Sequence, residues 1–307
     1  MHQNLHLSSG PTVPEAATVQ LEVTPHSAGW GFSGLAVITL APGTQWRRPQ
    51  IAAESLVLPL AGGGCRVSAQ TSAGEESWLL EGRPDVFSGP SDAVYLPRGA
   101  TITLDATVAA PVRVALATAA SAAELPAQHI ARDQVRVELR GAGSCSRRVS
   151  NYTLATEVSV EHLLVCEVVT PGGNWSSYPP HKHDVHSDDE RELEEIYYFE
   201  IAEGPAGAGV AYHRTYGTPA KPIDFLAEVR TGDCVLVPHG YHGPCMAAPG
   251  HDLYYLNVMA GPAEDGRWLS TDDPAFGWIR DTWVEQSLDP RLLDPPATDP
   301  TSQAPQE

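Results

Sequence analysis

The chain has 307 residues, a hydrophobic fraction of 42% and a formal charge of −19 at pH 7, which suffices for one large or two modest domains. The acidity opposes binding to a phosphate backbone, and no apolar run approaches the roughly 20 residues that span a bilayer, so neither nucleic acid nor a membrane is expected as a partner. The start, MHQNLHLSSGP, has neither a basic n-region nor an apolar h-region, and the five cysteines (Cys65, Cys145, Cys166, Cys234 and Cys245) are odd in number with no CxxC; both features fit a cytoplasmic protein with free thiols.

Along the chain, helical periodicity is scarce. Short runs rich in Val, Leu, Ile and Tyr, bounded by Gly, Pro or Asp, follow one another: LAVITLAPG (35–43), SLVLPLAGG (55–63), AVYLPRG (93–99), HLLVCEVVTPGG (162–173), EIYYFEI (195–201), CVLVPHG (234–240) and DLYYLNVMAG (252–261). This is the pattern of an all-β protein.

The runs form two matching series. VITLAPGTQW ends at Trp46 and CEVVTPGGNW at Trp175; ESLVLPLAG begins at Glu54 and EIYYFEIAEG at Glu195; SDAVYLPRGAT carries Asp92, Pro97 and Gly99 where GDCVLVPHGYH carries Asp233, Pro238 and Gly240. Glu54 to Asp92 and Glu195 to Asp233 are both 38 positions. Three matches in one order argue for a duplicated β unit, each unit a closed or sandwich-like antiparallel barrel. The expected division is an N-terminal unit (1–125), a C-terminal unit (126–285) and a flexible Pro-rich tail (286–307). The linker is placed loosely in 117–133, where the Ala content also suits a short helix.

The second series carries the chemistry. In the stretch PPHKHDVHSDDERELEEIYYFEI, residues 179–201, His181 and His183 are two apart and share one face of an extended segment. Glu195 opens the next strand, with Glu194 as its competitor, and His242 follows the turn PHGYH. Three imidazoles and a carboxylate suit one divalent ion, Zn²⁺, Mn²⁺, Fe²⁺, Ni²⁺ or Co²⁺, without selecting among them. His186, His239 and His251 are read as solvent-facing or supporting residues. Glu54, as the counterpart of Glu195, supports Glu195 over Glu194. The first series has RRPQIAA between Trp46 and Glu54 and Thr101 in place of His242, so it is expected to hold no metal and to pack against the other unit. The cysteines in apolar runs, Cys166 and Cys234, read as small buried hydrophobes.

These elements resemble the cupin pattern of HxH, a later Glu, and GxxxxxPxG with a final His. Two departures are visible: eleven residues separate His183 from Glu195, and one residue separates Gly240 from His242. The longer strings NWSSYPPHKHD, LEEIYYFEI, LVPHGYH, DLYYLNVMAGP, GRW and DDPAFGW, with DVFSGPSDAVYLPRG in the first half, resemble the 5-deoxy-glucuronate isomerase family of inositol catabolism. That resemblance covers about residues 20–285. It implies a duplicated cupin (bicupin) and the conversion of 5-deoxy-D-glucuronate to 5-dehydro-2-deoxy-D-gluconate.

Such an aldose–ketose conversion needs a Lewis acid at the carbonyl and a base for the adjacent proton, with no net redox change. No nucleotide cofactor is expected, and no P-loop or strand-to-helix GxGxxG is present. The small-molecule uronate substrate carries a carboxylate, for which Lys182, Arg214 and Tyr216 are the candidate contacts; Lys182 alternates away from the paired imidazoles. Glu194, Tyr216, Tyr241 and a His outside the ligand set are all compatible with the base, and none is assigned. A homo-oligomer is compatible with the sequence. The competing readings are a related uronate ketol-isomerase, a metal-dependent dioxygenase and a non-catalytic sugar-binding bicupin.

Overall fold

A computed structural model of the chain describes residues 4–9, 16–154, 158–263 and 265–293. They form four antiparallel sheets arranged as two similar two-sheet units. In the first unit a large sheet runs in the order 128–130, 93–96, 53–61, 112–120, 33–40, 18–23, and faces a small one ordered 45–48, 101–106, 65–71, 74–79. In the second, the large sheet runs 6–8, 233–237, 194–201, 253–260, 164–170, 147–151, 136–140. Its partner sheet runs 224–229, 211–216, 241–247, 181–182, 271–272, with 175–176 also on 241–247. The shared order 93–96, 53–61, 112–120, 33–40 against 233–237, 194–201, 253–260, 164–170 is the duplication in structural form. Each large sheet also takes a strand from across the expected division at 125/126, since His6–Ser8 pairs with Asp233–Val237 and Gln128–Ile130 with Ala93–Leu96.

The central strands are apolar on both faces because each face meets a different core. Along Glu194–Ile201, Tyr197, Phe199 and Ile201 point into the second unit, whereas Ile196 and Tyr198 point at the first. Along Ala53–Ala61, Leu56, Leu58 and Leu60 join that same inter-unit core, and Val57 faces the interior of the first unit. Fully burying one such aliphatic side chain contributes about 1.5–3 kcal/mol, so the two large sheets are held together mainly by this layer. A buried ion pair crosses it: Arg83 meets Glu167, which also accepts from Tyr152 Oη at 3.0 Å and Tyr254 Oη at 2.6 Å.

Two expectations change. The Ala-rich stretch at 117–133 holds no α-helix; Val112–Ala120 is a strand that runs into it, and Ala117 and Ala119 are buried in the inter-unit core, where small side chains let the sheets approach. The first residues of the expected tail are anchored: Gly143 N donates to Ser287 O at 2.8 Å, Asp289 N to Ser146 Oγ at 3.0 Å, and Arg291 Nη1 to Gly172 O at 3.0 Å. Its remainder, 294–307, lies outside the described residues.

Candidate metal centre

The second unit carries polar groups in its interior. His181 sits on a two-residue strand whose register places it directly across from His242 on the strand Tyr241–Ala247. His183 follows, and its carbonyl accepts from Leu193 N at 2.9 Å. That bond returns the chain to the sheet after an excursion over 184–192, and it accounts for the long spacing before Glu195. The excursion is not a plain solvated acidic loop. Glu190 Oε1 accepts from Asp184 N at 2.7 Å and Val185 N at 3.1 Å, Lys182 Nζ bridges Asp184 and Glu190 at 3.1 and 2.8 Å, and Asp184 Oδ2 accepts from Gly240 N at 3.0 Å.

His181, His183 and His242 are all buried, and one ring nitrogen from each lies within 4.8 Å of the others. Glu195 Oε2 is 2.9 Å from His183 Nε2 and 2.8 Å from His242 Nε2. The opposite nitrogens face carbonyls: His183 Nδ1 is 3.1 Å from Leu193 O, and His242 Nδ1 is 2.8 Å from Gly240 O. A nitrogen facing a carbonyl carries the hydrogen, so in the neutral rings both Nε2 lone pairs point at a carboxylate oxygen. Electron-rich atoms converge in this way only around a proton or a cation, and this donor set fits a divalent ion. His181, hydrogen-bonded to the backbone of Pro179, is held well below the ordinary imidazole range by burial and then by its two histidine neighbours. Burial opposes charge on Glu195, but a proton held between its carboxylate and the His183 and His242 rings outweighs it and keeps the carboxyl well below the usual range.

Period-two alternation separates the competing carboxylates. Glu195 points inward, and Glu194 points toward the first unit, where it accepts from Gly31 N at 2.6 Å, Phe32 N at 2.9 Å and Ser33 N at 2.8 Å. Glu54 does the reverse, accepting from Glu161 N, His162 N and Leu163 N at 3.0, 2.7 and 2.8 Å. Glu54 is therefore the counterpart of Glu194, contrary to the sequence match with Glu195. The ladders agree, because Ser55 lies opposite Leu96 as Glu195 lies opposite Val237. The two glutamates are reciprocal clamps, each gripping the loop before a strand of the other unit.

The family relationship accords with this layout. The KduI/IolB family model matches residues 7–279. The chain belongs to the KduI/IolB family. Among curated relatives, the 5-deoxy-glucuronate isomerase of Geobacillus kaustophilus (strain HTA426) is 41% identical over 265 residues, covering 85% of this chain and 91% of that protein. That of Bacillus subtilis (strain 168) is 35% identical over 260 residues, covering 84% and 91%. The crystal structure of an IolB-like protein from Salmonella typhimurium LT2 superposes with a TM-score of 0.78 at 32% identity, covering 90% of this chain and 99% of that one. Oxalate decarboxylase from Lactobacillus farciminis superposes with a TM-score of 0.63 at 12% identity, covering 89% of each chain, a likeness of fold alone.

Not every candidate in this KduI/IolB chain joins the cluster. Lys182 is held by Glu190 and Asp184. Arg214 and Tyr216 lie on the outer face of the strand Ala211–Tyr216, whose alternate residues His213 and Thr215 are fully buried. There Arg214 pairs with Asp224 at 2.5 Å and Tyr216 Oη donates to Asp273 Oδ2 at 2.6 Å. Both line an outer groove with Trp175, Tyr178 and Phe276. His186, His239 and His251 are outside the imidazole group, which is the one such group among the described residues. All five cysteines are buried and unpaired, and burial pushes Cys65 and Cys166 each up to about 12. Ala36, Ile38, Val57, Val67, Val94, Leu96, Ile102 and Leu104 fill the equivalent interior of the first unit.

Several residues of the site were missed by sequence reasoning. His181 and Glu195 line a cavity of about 60 Å³ whose walls include Ser177, Tyr178, Tyr255, Asn257, Trp268 and the arginines Arg140, Arg147 and Arg280. The three arginines and Trp268 also line a wider cleft of about 580 Å³. In CSRRVSN, Arg147 shares a strand face with Val149, an available signal that this face is buried.

Proposed function

We propose that the protein is an aldose–ketose isomerase that converts 5-deoxy-D-glucuronate to 5-dehydro-2-deoxy-D-gluconate in myo-inositol catabolism. The observation that carries this reading is the buried His181–His183–His242–Glu195 cluster opening on a cavity, in a chain 41% identical to a curated 5-deoxy-glucuronate isomerase over 85% of its length. Those four residues would hold one divalent ion per chain. Bound there, it supplies Lewis acidity at a carbonyl. The protein's own part is to fix the imidazole tautomers through Leu193 O and Gly240 O and to shield the reacting end of the substrate within apolar walls that include Val149, Leu154, Val168 and Met259. Residues 126–285 are proposed as the metal-bearing unit, with 1–125 as its packing partner. Five reduced thiols favour the cytoplasm as the compartment.

The test is conversion of 5-deoxy-glucuronate under argon by metal-loaded protein, with glucuronate and the pectin-derived ketouronate as controls and without NAD. Stripping the metal should abolish turnover, a divalent ion should restore it, and His181→Ala should neither bind metal nor turn over. Metal-loaded protein that leaves 5-deoxy-glucuronate unchanged would refute the assignment.

A further inference from the structure

Arg147 is a cavity residue that the metal cluster does not explain. It is 8% exposed and stands at the start of the strand Arg147–Asn151. A guanidinium buried this deeply ordinarily faces a carboxylate. Among the described residues no Asp or Glu pairs with it. Its Nη1 donates to Cys145 O at 3.1 Å, and its guanidinium carbon lies 5.7 Å from the centre of the Trp283 ring. Gly141 makes room for it, because a Cβ there would lie 2.6 Å from Arg147 Nη1. The group is thus braced by backbone and an aromatic face, and its charge stays uncompensated.

The neighbouring cations do not relieve it. Arg140 Nε bonds Glu138 Oε2 at 2.7 Å, and Arg280 bonds Asp272 through Nε at 2.5 Å and Nη2 at 2.8 Å. Burial, together with Arg140 and Arg280, brings the Arg147 guanidinium down to about 10. Arg140 and Arg280 are each matched by a carboxylate, and Asp189 also lines the wider cleft, so among the described residues Arg147 is the one of the three arginines without a carboxylate partner. The arginines and His181 line the same small cavity, so an anion seated on Arg147 belongs to a molecule whose other end reaches the metal cluster.

We propose that Arg147 is the carboxylate-binding residue of this site, holding the carboxylate of a uronate whose carbonyl end lies against His181 and Glu195. This rests on the isomerase reading above for the identity of the substrate. A guanidinium fork matches a carboxylate bidentately, and a desolvated site built for that charge rejects a molecule lacking it far more strongly than an apolar pocket would. Arg147 thereby joins Lys182, Arg214 and Tyr216 as a candidate contact for the carboxylate, and it is the one that lines the cavity with His181.

The experiment compares holoenzyme and its R147Q and R147K variants on 5-deoxy-glucuronate and on 5-deoxy-glucose, the neutral aldose in which the carboxylate is replaced by an alcohol. Wild type should prefer the uronate by roughly 1,000-fold or more in kcat/KM. R147Q should raise KM for the uronate roughly 100-fold with little change in kcat, at unchanged metal content and unchanged turnover of the neutral aldose. R147K keeps the charge without the fork and should raise KM roughly tenfold; it decides the matter alone if R147Q does not fold. An unchanged KM, or an equal loss on both substrates with metal retained, would overturn the proposal in favour of a purely structural role. If wild type turns over neither substrate, the isomerase reading fails and the subsite is read by calorimetric titration with adipate, a six-carbon dicarboxylate. Adipate binding that R147Q abolishes then upholds the carboxylate site, and its absence in wild type overturns it.

Discussion

Neighbouring glutamates with opposite duties give the sharpest test. Glu195 Oε2 lies within 2.9 Å of two imidazole nitrogens, and Glu194 accepts three backbone N–H groups from Gly31–Ser33 across the unit interface. A hydrogen bond to a charged acceptor contributes about 1.5–3 kcal/mol. Glu194 is only partly buried and Gly31 is exposed, so water replaces much of what Glu194→Ala removes, and the expected net loss is about 2–4 kcal/mol. For a chain of this length that lowers the melting temperature by roughly 3–6 °C. Metal content should not change. Glu195→Gln keeps the shape but removes the anionic donor, so metal affinity should fall more than about 100-fold, and the metal-free protein should also lose some stability near neutral pH because the fold favours the ionised carboxylate. Elemental analysis after desalting, with calorimetric melting of metal-free samples, reads both outcomes. If Glu194→Ala empties the centre, or Glu195→Gln retains stoichiometric metal, the assignment of the pair is wrong.

Metal binding should weaken in acid. Burial disfavours charge on His183, but its hydrogen bond to Glu195 outweighs that and raises its pKa above the ordinary value. Below that raised pKa the metal-free cluster holds a proton that an incoming cation must displace. Affinity is full above that pKa and should drop about tenfold per pH unit below it; titrations showing a flat affinity from pH 8 to pH 5 would contradict this. Metal stoichiometry should be one per chain, because apolar residues fill the first unit, and Val94→Asp there should destabilise by several kcal/mol while surviving protein keeps its metal; two tightly held ions per chain would count against it. Arg83→Met leaves Glu167 buried without its cation and should cost about 3–5 kcal/mol, a loss largely recovered when Glu167 is also replaced by Leu. Urea melts of the single and double variants decide this, and a single variant as stable as wild type would refute it.

The short apolar runs, the duplication and the order of HxH, Glu and PxGxH were legible in the sequence because they are local: a strand announces itself by composition and turn residues, and period-two alternation puts His181 and His183 on one face. Which face each strand turns inward is decided by long-range pairing. Arg214 and Tyr216 alternate with His213 and Thr215, and only the ladders to Asp224–Val229 and Tyr241–Ala247 turn the histidine side to the interior. The match of Glu54 with Glu195 was one residue out for the same reason, since counting along the chain cannot see that Ser55 faces Leu96 as Glu195 faces Val237. Arg147 was not singled out from the sequence, because composition marks its charge and not its depth. Its burial arises where the strand Arg147–Asn151, the neighbouring arginines and Trp283 meet, a conjunction of segments well over a hundred residues apart that exists only once the second unit has closed around its interior.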